Sequence, residues 1–177
     1  GKNLTSRAHI TGSTTTSIRL RPLSGRIGVE VLDADLVVLL EDGAARQEVH
    51  RAMLDHHVVV MRGLHPTPEQ HIALASAFGD PIQPEEHLPK HPDHPILCRF
   101  DSAGGYKADK WHTGGTFRDV IPSAAVLCMR TSPGTGGDTM WTNCCAAYED
   151  LSNGMKALLE RRKALHEQGP DAKAVHP

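Results

Sequence analysis

A chain of 177 residues that is 39% hydrophobic and 23% charged can bury one core, and its composition is globular, not disordered or fibrous. Nineteen Lys and Arg against 21 Asp and Glu leave a net charge of -2, which argues against binding a nucleic-acid polymer or an anionic membrane through bulk charge. Twelve His and 12 Pro raise the question of a metal, which spacing decides and number does not.

Residues 1–16 are polar and rich in Ser and Thr, and read as a flexible N-terminal segment. Residues 17–177 read as a single domain. From Ser17, Ile18, Leu20 and Leu23 alternate with Arg19 and Arg21, the pattern of a half-buried strand. After the Ser24-Gly25 turn, Ile27 to Val31 forms the second strand of a hairpin. Ala45, Val49 and Met53 recur at i, i+4 and i+8, which predicts a helix over 43–55 capped by Asp42. Val58 to Met61 is a short β-branched run, the pattern of a strand buried on both faces. Thr67-Pro68 opens a helix that carries Ile72, Leu74, Ala75 and Phe78 and stops at Gly79.

Residues 80–95 hold five Pro and three His and form a long loop of the kind that usually serves function. Further strands are expected over 96–100, 124–129 and 139–141. The turn over 132–138 lacks the Lys and the following helix of a phosphate loop, so it serves to place Asp138 and Thr139. A last helix starts at Ser152 and carries Met155, Leu158, Leu159 and Arg162. Short strands with helices concentrated in the first half describe a β-rich α+β domain.

The longest apolar run, Leu36 to Leu40, is too short to cross a bilayer, and residues 1–7 lack the apolar stretch of a secretory leader. Cys98, Cys128, Cys144 and Cys145 show no zinc-finger spacing. Reduced thiols and a cytoplasmic location are the expectation.

The most informative segment is Lys110-Trp111-His112-Thr113-Gly114-Gly115-Thr116-Phe117. In extended backbone, residues i and i+2 point to one side. A His at 112 and a carboxylate at 114 would therefore reach one metal, and a second, distant His would complete the 2-His-1-carboxylate face of non-haem Fe(II) sites. Position 114 is Gly, so the carboxylate is missing.

From Ile18 to Leu159 the chain resembles the TauD/TfdA family of Fe(II)- and 2-oxoglutarate-dependent dioxygenases. The landmarks run in order: the hairpin with Gly28, Asp33-Ala34-Asp35-Leu36, Val58 to Arg62, Phe78-Gly79-Asp80, Trp111-His112-Thr113, and Gly136 to Thr142. The resemblance implies a double-stranded β-helix (jelly roll) core flanked by helices, with O2 as co-substrate and a small molecule as substrate. It makes His112 the first iron ligand and Thr139 the contact to the 2-oxoglutarate carboxylate. His176, in the closing His176-Pro177, is a candidate distal ligand. The family's 2-oxoglutarate Arg has no counterpart here, so the domain is expected to lack the family's C-terminal part. Homo-oligomerisation stays open.

Gly in place of the Asp ligand has a parallel in 2-oxoglutarate-dependent halogenases, where chloride binds the iron in the position left open. The reading is a halogenase that chlorinates an unactivated aliphatic carbon, with His112 and Gly114 as the catalytic pair and Gly114 as the halide position. The alternatives are a hydroxylase crippled by loss of its Asp and a non-catalytic jelly-roll binding module. Glu85 and His87 in the Pro-rich loop, and Phe117 beside the motif, are candidate substrate contacts. Arg99, Arg118 and Arg130 are the guanidinium groups near the motif that a charged substrate would want.

Overall fold

The hairpin at the start of the chain is set by its turn. Ser24 Oγ donates to Ile27 O at 2.6 Å, and Leu23 N donates to Gly28 O at 2.9 Å. Gly28, at φ 88, takes a left-handed conformation that favours glycine. Strands β1 (Arg19–Pro22) and β2 (Val29–Leu32) pair antiparallel across it. Strand β3 (Val59–Met61) adds parallel to β2 and completes a three-stranded sheet in the order β1-β2-β3. The computed structural model describes residues 18–105 and 110–167.

Three helices lie beside this sheet: the second touches its strands, and the first packs against the other two. Helix α1 (Leu36–Glu41) is capped by Asp35, whose Oδ1 accepts from Val37 N at 2.8 Å and Val38 N at 3.3 Å. Helix α2 (Gly43–His56) starts at Asp42, whose Oδ1 accepts from Ala44 N at 2.8 Å. Arg46, in the first turn of α2, donates to Leu40 O at 2.7 Å and satisfies the carbonyl end of α1. Helix α3 (Pro68–Ser76) opens with a reciprocal capping box: Gln70 N donates to Thr67 Oγ1 and Thr67 N to Gln70 Oε1.

The core lies between sheet and helices: Val31, Leu39, Val49 and Leu74, with Val59, Met61, Phe78 and Val126 packed against them. Ala45, Val49 and Ala52 make the buried stripe of α2. Glu30 points away from that core yet is only 6% exposed, between Arg21 and Arg62.

Several expectations are corrected. β1 is exposed along its whole length, and β3 is half-buried instead of buried on both faces. In a sheet of this order only β2 has neighbours on both sides, so β1 and β3 are edges. Helix α3 ends at Ser76 because its last turn tightens: Ala77 N bonds Leu74 O and Phe78 N bonds Ala75 O. Two short helices were not expected, α1 and α4 (Cys144–Glu149). Helix α5 (Asn153–Leu159) starts at Ser152 as read.

The segments 96–100, 124–129 and 139–141 form no strand among the described residues; the nearest approach is an isolated bridge between Lys90 and Cys98. A strand exists only with a ladder partner, and β-branched composition does not provide one. Leu127, Met129, Met140 and Trp141 stand exposed in consequence. The described fold is a small mixed α/β unit.

Candidate active site

The His112 segment is irregular chain that enters a turn at Gly114. His112 is exposed, with Nδ1 2.9 Å from Lys110 O. A carbonyl oxygen only accepts, so Nδ1 is the donor here, and in the neutral imidazole the lone pair then falls on Nε2. That is the tautomer a metal-binding imidazole needs, oriented by a backbone carbonyl.

Gly114 and Gly115 are neighbours with opposite constraints. A Cβ on Gly115 (φ 69) would lie 2.8 Å from Pro122 Cγ, so this position demands glycine. A Cβ on Gly114 would meet nothing within 4 Å, and its φ is not left-handed. Neither backbone nor packing requires glycine at 114. A side chain at position 114 would enter open space.

Two long-range contacts hold the turn that follows. Thr116 Oγ1 lies 2.8 Å from His166 Nδ1, which brings the segment after α5 back to the motif. Arg118 donates through Nη2 to Gln83 O at 3.1 Å and forms an ion pair with Glu85. Its guanidinium carbon stands 6.0 Å from the centre of the Phe117 ring. Glu85 and Phe117 are thus gathered around Arg118, whereas His87 is exposed in the loop. Nothing in the sequence signalled His166, because 50 residues separate it from Thr116.

The glycine turn before Thr139 is real: Gly136 and Gly137 have φ 78 and 74, and a Cβ on Gly137 would press on Pro133 at 3.1 Å. Thr139 emerges from it exposed. Of the other arginines, Arg130 donates to Pro66 O at 2.6 Å and, with His71 Nε2 at 2.8 Å from Val126 O, ties the 124–130 segment to α3. Arg99 is exposed. All four cysteines are free thiols; Cys98 and Cys128 are half-buried, and burial pushes the Cys98 thiol up.

No group of three or more His, Cys, Asp or Glu able to hold a metal occurs among the described residues. His176 lies outside them, as does the N-terminal segment 1–16. The described residues therefore do not complete a metal site by themselves. No helix among them is long and apolar enough to cross a membrane.

An alkylsulfatase of Acinetobacter baylyi is 36% identical over 164 residues, covering 86% of this chain and 48% of the relative. An alpha-ketoglutarate-dependent sulfate ester dioxygenase of Pseudomonas putida is 31% identical over 165 residues, covering 89% of this chain and 52% of the relative. Among solved structures, a putative alpha-ketoglutarate-dependent taurine dioxygenase from Burkholderia xenovorans superposes with a TM-score of 0.61 at 27% identity, over 82% of this chain and 52% of that one. The chain spans about half the length of the relatives it matches. The family described as taurine catabolism dioxygenase TauD, TfdA family matches residues 19–174, from the start of β1 to beyond α5, and the chain belongs to that family.

Proposed function

We propose that the chain is part of a non-haem Fe(II)- and 2-oxoglutarate-dependent oxidoreductase that acts, with O2, on a small-molecule substrate in the cytoplasm. The observation that carries this reading is the family match over residues 19–174; the contact of His112 Nδ1 with Lys110 O at 2.9 Å supports His112 as its imidazole ligand. Iron held here with 2-oxoglutarate would activate O2, the oxidant, toward an unactivated C–H bond, with 2-oxoglutarate as the co-reductant. This chain's own part is to present an oriented imidazole at 112 and a hydroxyl at Thr139 for the cosubstrate carboxylate. His176 is the candidate second imidazole. The jelly roll belongs to this reading too, as the completed form of the described unit.

The finer reading is halogenation. Gly114 leaves room for an anion where a carboxylate would stand, and chloride there restores the negative charge that a two-imidazole site lacks. Glu85, His87 and Phe117 line the substrate side in this reading. A second reading is oxygenation with water at that position. It is favoured by those relatives that are named as dioxygenases, one of them a sulfate ester dioxygenase.

The deciding experiment is an anaerobic titration with Fe(II) and 2-oxoglutarate, with and without chloride, followed by visible absorption. A charge-transfer band that shifts with chloride supports halogenation. A band indifferent to chloride supports oxygenation, to be followed by sulfate release from an alkyl sulfate. No band removes the iron assignment for this chain and leaves a binding module.

A further inference from the structure

We propose that Arg118 is a positioning residue that couples the Pro-rich loop 80–95 to the His112–Gly114 segment. That the loop thereby walls the substrate side rests on the oxidoreductase reading; the coupling itself does not.

Arg118 lies four residues past Gly114 and closes the turn with Arg118 N donating to Gly115 O at 3.1 Å. One side chain then reaches across to the loop twice, to the carbonyl of Gln83 and to the carboxylate of Glu85. Both charged side chains are largely withdrawn from water, at 28% and 27% exposure, where an ion pair is worth more than at an open surface. The loop end of the contact is a turn of its own, with Leu88 N donating to Glu85 O at 3.1 Å. The motif end cannot slide away, because Gly115 abuts Pro122 and Thr116 is held by His166. A rigid fork with five donors can serve a carbonyl and a carboxylate together while lying near the Phe117 ring, and an ammonium cannot do the same. Movement of the loop is thus transmitted to the turn that carries Gly114.

The test uses two readouts that need no iron. Cleavage by a glutamate-specific protease after Glu86 reports opening of the loop. Acrylamide quenching of Trp111, next to His112, reports the motif; the chain has two Trp, so the measurement is made with Trp141→Phe as background. Arg118→Ala and the gentler Glu85→Gln are each expected to raise cleavage after Glu86 about tenfold and to raise quenching of Trp111. Arg118→Lys recovers part of the effect, and the exchange Glu85→Arg with Arg118→Glu recovers more than either single change. Unchanged cleavage overturns the proposal. So does faster cleavage with unchanged Trp111 quenching, which would make the pair a tether of the loop alone. Absence of an absorption band in the iron titration would overturn the oxidoreductase reading and leave both readouts as they are.

Discussion

Arg21 Nη2 meets Glu30 Oε2 at 2.6 Å, across the β1–β2 pair, and shelters a carboxylate that is otherwise cut off from water. The hydrogen bond from Arg21 holds the Glu30 carboxyl below its ordinary value; burial opposes this, and the charges of Arg21 and Arg62 add to the lowering. A carboxyl depressed in the folded state stabilises above its unfolded value, about 4.3, and the benefit is lost as pH falls through the folded one. Wild type should therefore exceed Glu30→Gln in urea midpoint at pH 7, with the difference closing below about pH 4. A difference constant from pH 7 to 3 would separate the stability of this sheet from the charge on Glu30.

The two motif glycines should respond in opposite ways. Gly115→Ala forces a Cβ into the Pro122 ring in left-handed backbone and should cost about 1–3 kcal/mol. Gly114→Asp enters open space and should leave stability within about 0.5 kcal/mol. Thermal unfolding of both variants checks this directly. If Gly114→Asp also destabilises strongly, the space around position 114 is not open.

Helix α2 ends on a strained residue. His57, its C-cap, has φ 65 and ψ -31, while its N–H donates to Met53 O at 2.7 Å. Glycine adopts this backbone freely, so His57→Gly should raise stability by about 1 kcal/mol. A loss of stability in a denaturant titration would show that the imidazole contributes more than its backbone costs.

Thiol reactivity should divide the cysteines in two. Cys144 and Cys145 are exposed at the start of α4, whereas Cys98 and Cys128 are half-buried. The thiolate is the reactive form, and burial holds the Cys98 thiol up. Labelling with a disulfide reagent at pH 8 should modify Cys144 and Cys145 about tenfold faster than Cys98. Equal rates would mean that the loop around Cys98 opens on the labelling timescale.

What could be read from sequence was local in origin. Asp42 before an apolar stripe and Thr67-Pro68 with Gln70 three residues on specify helix starts through contacts within one turn, and both caps form. The β1–β2 hairpin was legible for the same reason, since its turn lies in the intervening six residues. The 124–129 segment has strand composition, but a strand needs a partner and none pairs with it among the described residues. Glu85 illustrates the limit at the site: its partner Arg118 is 33 residues away, and no local pattern joins them. His112 was singled out through the family resemblance, while the contact its Nδ1 makes depends on where Lys110 O falls in space.

The uncovered apolar side chains from Val120 to Trp141 have a consequence for the protein in solution. Val120, Leu127, Met129 and Met140 are each at least 60% exposed, and they occur within 21 residues of sequence. Attraction between such surfaces is driven by water release and fades on cooling, while excluded salts such as sulfate strengthen it. Self-association of this chain should therefore grow with temperature and with ammonium sulfate and relax in the cold. Attraction between charges would be weakened by added salt instead. Light scattering across a temperature ramp would read the difference, and it makes low temperature and low salt the conditions in which this chain stays dispersed.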